Sequence, residues 1–85
     1  MTVPRQSAVI IINTDIGKEA SVQNSLGDLK EVDFAYVVYG VYDIVAKVTA
    51  PDMDMLENLI YEKVRKIDGV RTTLTLIISG ERRGG

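Results

Sequence analysis

The apolar positions of this chain change spacing as they run along it. The first apolar run is Ala8-Val9-Ile10-Ile11-Ile12-Asn13-Thr14, dense in β-branched residues and apolar on both alternating faces, which predicts a buried strand. Asp15-Ile16-Gly17 breaks it. From Lys18 to Leu26 the spacing becomes helical, with Ala20, Val22 and Leu26 as inward positions and Gly27-Asp28 as the stop. Two strands follow, Val32 to Tyr39 and Tyr42 to Thr49. Gly40-Val41 joins them as a tight hairpin, with glycine at the position needing unusual dihedrals. Pro51-Asp52 opens a second helix, because proline is tolerated in a first turn and Asp52 can cap free N–H groups. That helix runs to about Ile67 on a stripe of Leu56, Leu59 or Ile60, Val64 and Ile67. Lys63, Arg65 and Lys66 suit its negative C-terminal end. Asp68-Gly69 ends it, and the last strand is Val70 to Ser79.

Strand, helix, strand, strand, helix, strand is the order of a ferredoxin-like α+β domain. Right-handed crossovers then place both helices on one face of a four-stranded antiparallel sheet. The organisation expected is an N-terminal extension over residues 1–7, the domain over 8–79 and a mobile tail over 80–85. Two helices cover only one sheet face, yet the strands are apolar on both. Ala8, Ile10 and Ile12 oppose Val9 and Ile11, and Phe34, Tyr36 and Val38 oppose Ala35, Val37 and Tyr39. In the last strand Leu74, Leu76 and Ile78 oppose Thr73, Thr75 and Ile77. The Leu/Ile set is expected under the helices and the Thr/Thr/Ile set on the mixed face. A solvated sheet face is normally polar, so a second copy of the chain is the simplest cover, and a dimer is expected.

Composition narrows the chemistry. The chain has 85 residues, enough for one domain that buries roughly 60–65 % of its unfolded surface and gains from oligomerising. It has no Cys, His or Trp, which removes disulfides, the preferred transition-metal ligands and the usual proton carrier near neutral pH. The lack of cysteine fits a cytoplasmic setting. A net charge of −2 argues against a nucleic-acid surface. No apolar run approaches the ~18 residues needed to span a bilayer. Asp52, Asp54 and Glu57 are better explained by the helix dipole than by a metal, and no metal or cofactor is expected. Asn13-Thr14-Asp15-Ile16-Gly17 lies where a phosphate loop would, but lacks the Lys-Ser/Thr that follows one. RNA-recognition domains share the strand order, but the first strand here has no aromatic for base stacking.

Tyr39-Gly40-Val41-Tyr42-Asp43 is the segment with site chemistry. Glycine permits close approach of a ligand to the backbone, Asp43 can accept from an ammonium group, and turn N–H groups can hold a carboxylate. The same residues also read as a hairpin in which Asp43 caps its own turn. Two further roles are open on residues alone. One is a small enzyme on a dimeric α+β barrel, with Asp43, Asp33 or a tyrosine as base. The other is a scaffold that oligomerises without a ligand.

Gly40-x-Tyr42-Asp43, then Ile44-Val45-Ala46-Lys47-Val48, then Val64 to Leu76 with Gly69-Val70-Arg71-Thr72-Thr73-Leu74-Thr75, closely resemble the effector domain of Lrp/AsnC regulators, the regulation-of-amino-acid-metabolism (RAM) domain. The likeness covers about residues 8–79. It implies a ferredoxin-like fold that dimerises, with dimers joining into dimers of dimers or octamers. It implies amino acids or related metabolites bound between subunits near the hairpin, at Gly40, Tyr42 and Asp43, with Thr73 and Thr75 contributing. Tyr39 and Val41 are larger or less polar than is usual in the family and reshape that pocket. The resemblance implies a regulatory module in transcription and no enzyme. Full-length members carry an N-terminal helix-turn-helix, whereas only about seven residues precede the first strand here. The expectation is a stand-alone or excised effector domain, without direct DNA binding, that mixes with full-length Lrp/AsnC regulators.

Overall fold

The computed structural model describes residues 5–80, 82 and 84. The expected extension over 1–7 and tail over 80–85 therefore lie partly outside the described residues. Four strands and two helices follow in the predicted order. They are β1 (Gln6–Thr14), α1 (Glu19–Gly27), β2 (Val32–Val37), β3 (Ile44–Ala50), α2 (Met53–Leu59) and β4 (Val70–Ile77). The strands stand in the order β2-β3-β1-β4 and every neighbouring pair is antiparallel. This is the ferredoxin-like arrangement. Strand β1 begins at Gln6, two positions before its apolar run, because Gln6 and Ser7 pair with Ala50 and Thr49.

The second helix starts as its sequence dictates. The Asp52 carboxylate accepts from the Met55 N–H at 2.8 Å, a side-chain cap. After Leu59 the helix widens into a π segment, Ile60–Val64, in which the Arg65 N–H reaches the Ile60 carbonyl at 2.9 Å. Periodicity alone carried the α pattern through this stretch. The widening still keeps Ile60 and Val64 buried and leaves Tyr61 and Arg65 on the outside.

Helix α1 packs on β2 and β3, and α2 on β3 and β1. The core lies between these layers. Ile10, Ile12, Ile44 and Val48 supply it from the sheet, all fully buried. Val22, Leu26, Leu56 and Val64 meet them from the helices, also without exposure. Ala20, expected inward, is exposed. Val22 and Leu26, four apart on one helix face, are the positions that reach the sheet. Gly69 closes the second crossover at φ 99°, and its carbonyl accepts from the Asp15 N–H at 2.8 Å.

One prediction reverses. In the β1–β4 register Ile10 faces Thr75 and Ile12 faces Thr73, so the threonines share the helix side of the sheet with the buried isoleucines. Leu76 and Leu74 face Val9 and Ile11 on the open side, and are 48 % and 45 % exposed. Thr73 and Thr75 are half-buried, as is Ile78. The reason is the position of β4. It is an edge strand that neither helix packs closely against, so its inner side tolerates threonine. The open side therefore holds the leucines, next to Val9, Ile11 and Val45. It also holds Phe34 and Tyr36, whose rings stack at 4.7 Å.

The loop after α1 is tied to the second helix by Lys63 Nζ and Glu31 Oε2, 3.4 Å apart. The Glu31 carboxyl is held below its ordinary value. A hydrogen bond within its own residue outweighs burial, and Lys63 adds to the effect. No helix among the described residues is long and apolar enough to cross a membrane.

Candidate functional site

The loop between β2 and β3 is wider than the two-residue turn predicted. The Val38 N–H donates to the Asp43 carbonyl at 2.9 Å, which leaves Tyr39 to Tyr42 as the loop. Gly40 sits at φ 147°, a conformation that glycine adopts freely. Tyr39 and Val41 project fully into solvent, at 106 % and 86 % exposure. The backbone N–H groups of Gly40, Val41 and Tyr42 donate to no protein acceptor among the described residues.

Asp43 does not cap its own turn. Its Oδ2 accepts from the Thr14 N–H at 2.8 Å, with the Thr14 hydroxyl at 3.4 Å. Its own N–H donates to the Ile12 carbonyl at 3.0 Å. Asp43 thus fastens the start of β3 to the end of β1, where Thr14 is 5 % exposed. The other oxygen, Oδ1, takes no hydrogen bond from the described residues, so the half-buried carboxylate keeps one accepting edge.

Two depressions border this anchor and a third lies beside them. One of about 590 Å³ is lined by Val37, Val38, Tyr39, Gly40, Asp43 and Glu19. A second, of about 350 Å³, has Asp43 and Val41 on one side and Ile16, Glu19 and Arg71 on the other. The third, about 490 Å³, lies between the π segment and β4, with Tyr61 and Arg65 facing Arg71, Thr73 and Thr75. Arg71 and Thr72 border both the second and the third, so the two lie side by side. Of the residues predicted from sequence, Tyr39, Gly40, Val41 and Asp43 therefore gather at the hairpin, and Thr73 and Thr75 line the adjoining groove. Tyr42 is half-buried and lines none of the three.

Thr14, Tyr61, Arg65 and Arg71 were not among the predicted site residues. Arg71 owes its place to a β-bulge. Asn13 pairs with Thr72 and Thr14 with Val70, so Arg71 is the extra residue and its side chain is re-aimed out of the ladder. Its Nε lies 3.8 Å from Asp15 Oδ1. Arg65 stacks over the Tyr61 ring at 5.2 Å from its centroid. No sequence signal announces the bulge. Arg65 and Tyr61 carried one, a spacing of four on a helix, that the C-terminal dipole reading absorbed.

A family model of the Lrp/AsnC ligand-binding domain matches residues 7–83. The chain belongs to that family. An uncharacterised helix-turn-helix-type transcriptional regulator of Pyrococcus abyssi is 40 % identical to the Lrp/AsnC domain here over 78 residues, covering 92 % of this chain and 49 % of that protein. The chain thus spans about half the length of the curated relatives it matches. The crystal structure of FFRP-DM1 superposes with a TM-score of 0.83 at 40 % identity, covering 86 % of this chain and 97 % of that one. Escherichia coli AsnC superposes with a TM-score of 0.86 at 28 % identity, over 94 % of this chain and 54 % of that one. The Lrp/AsnC assignment makes this a domain of a regulatory, ligand-binding kind.

Proposed function

We propose that this Lrp/AsnC domain is an amino-acid-binding module that assembles with copies of itself and acts as a stand-alone effector unit. The observation that carries the binding half is the hairpin. An accepting carboxylate edge on Asp43 stands beside three backbone N–H groups that have no protein partner among the described residues. An α-amino acid needs one anion for its ammonium group and donors for its carboxylate, and this pairing provides both. The anchoring bond to Thr14 holds Asp43 in place, so little ordering is needed when a ligand arrives.

The assembly half rests on the open sheet face. Val9, Ile11, Leu74, Leu76 and the stacked Phe34–Tyr36 pair form an apolar sheet surface that water disfavours. A second copy docking the same face is self-complementary about a two-fold axis. Full-length Lrp/AsnC regulators, which carry a domain of this fold, are the natural mixed partners. The protruding Tyr39, Val41 and Ile16 give dimers a further contact through which to join as octamers. Support for the stand-alone form comes from FFRP-DM1, nearly all of which this chain matches.

Light scattering at micromolar concentration, paired with a thermal-shift screen against the twenty amino acids, tests both halves. The mass is expected well above 9.4 kDa, with at least one amino acid raising the melting temperature. A folded monomer that no amino acid stabilises would refute the proposal.

A further inference from the structure

We infer that the groove between the π segment and β4 selects an effector with a second anionic group, so that the ligand class of this domain is the dicarboxylic amino acids. The inference rests on the reading that an amino acid's ammonium group sits at Asp43. It adds what the rest of the ligand must be.

The groove holds two guanidinium groups, those of Arg65 and Arg71, and its lining includes no carboxylate. In a chain of net charge −2 this is a local feature and not a general basic surface. No acidic side chain among the described residues pairs with Arg65. Its guanidinium carbon lies over the Tyr61 ring, 5.2 Å from the centroid, a cation–π contact that holds the group at the groove. The edge donors, the ones that bind a carboxylate in bidentate fashion, stay available. Arg71 is the bulged residue of β4, and its one ion-pair partner among the described residues is Asp15 at 3.8 Å, both well exposed. A contact of that length and exposure yields readily to a ligand. Thr73 and Thr75 add hydroxyl donors to the same groove.

The groove adjoins the Asp43 depression through Arg71 and Thr72, which line both. A ligand whose ammonium group meets Asp43 and whose α-carboxylate meets the hairpin N–H groups therefore has Arg71 along the same depression, with Arg65 in the adjoining groove. A side-chain carboxylate there relieves the repulsion of two like charges and satisfies donors that an aliphatic side chain would leave bare. A side-chain amide of the same shape makes the hydrogen bonds without the charge.

Calorimetry on the full chain decides the matter, with L-glutamate, L-aspartate, L-glutamine, L-leucine and glutarate as probes. Glutamate or aspartate is expected to bind at least about tenfold tighter than glutamine or leucine. In Arg65→Met and Arg71→Gln that preference should shrink toward unity, with the mass of the assembly unchanged by light scattering. Asp43→Asn should weaken glutamate and glutamine alike and leave their ratio standing. Tightest binding of glutamine or leucine, or a preference that survives both arginine substitutions, overturns the inference while leaving an amino-acid site at the hairpin intact. Glutarate binding that depends on Arg65, with no amino acid binding, supports the anionic groove and defeats the ammonium site at Asp43. Binding of none of the probes defeats both.

Discussion

Asp43 carries two roles that substitution can separate. Its Oδ2 satisfies the backbone N–H of Thr14, in a residue only 5 % exposed, at 2.8 Å. A hydrogen bond to a charged acceptor is worth about 1.5–3 kcal/mol, and a buried donor left unpaired costs a similar amount. Asp43→Ala removes the acceptor, so a loss of about 2 kcal/mol is expected. For a domain of this size that is a fall in melting temperature of roughly 4–8 °C for each kcal/mol. Asp43→Asn keeps a carbonyl oxygen for Thr14 and should lose about half as much, a neutral hydrogen bond being worth about 0.5–1.5 kcal/mol. Both variants remove the negative charge that an ammonium group would meet. Ligand affinity should therefore drop by roughly tenfold or more in each, about 1.4 kcal/mol per factor of ten. Urea denaturation at one fixed protomer concentration measures the stability half, since assembly makes it concentration-dependent. Calorimetry with the tightest ligand measures the other half. If Asp43→Asn binds as well as the parent chain while Asp43→Ala fails, Asp43 only holds the hairpin in place. Equal stability of all three proteins would refute the anchoring argument itself.

Other substitutions probe the frame around the site. Leu76→Glu places a charge on the open sheet face at a residue already 48 % exposed, so the protomer should stay folded while light scattering shows the assembly falling apart. An unchanged mass would move the interface elsewhere. At Gly69, φ is 99° and an added Cβ would stand 2.9 Å from the Lys18 Cβ and 3.0 Å from the Val22 Cγ2. Gly69→Ala should cost about 1–2 kcal/mol from the backbone and about 1–3 kcal/mol more from crowding, read by the urea midpoint, and a neutral result would contradict that packing. Glu31, held below its ordinary value of 4.5, contributes stability that is present above that value and lost as the pH falls through the lowered one. Glu31→Gln should flatten the acid side of the stability profile, and identical slopes would show that the charged Glu31, with its backbone hydrogen bond and its Lys63 partner, adds no stability.

The candidate site was only partly legible in the sequence. The hairpin residues stood out because a glycine turn followed by an acid can hold both ends of an amino acid, although the same residues also read as a plain capped turn. The partner of Asp43 was not legible. Thr14 lies 29 residues away, and only the β1–β3 pairing brings the two together. Arg71 and Arg65 read as ordinary surface charges until a bulge and a π segment placed them across one groove. Both irregularities are single-residue shifts of backbone register, and no side-chain pattern encodes them unambiguously.

Element order, the core strands and the buried stripes of the helices, apart from Ala20, followed from periods of two and of nearly four, and the capped start of α2 from Pro51-Asp52. Those periods reflect local backbone geometry, which each segment carries by itself. Which side of β4 faces the helices did not follow. Its two alternating sets, Leu74 and Leu76 against Thr73 and Thr75, differ in the direction that a core would suggest, yet the threonines lie inward. Burial of a strand face depends on what packs over it, and that depends on where the strand stands in the sheet. An edge strand that neither helix packs closely against, beside an open face that carries its own apolar surface, reverses the inference. Only the tertiary arrangement holds that information, because register across three chain-distant strands, and not the content of any one of them, decides which residues share a face.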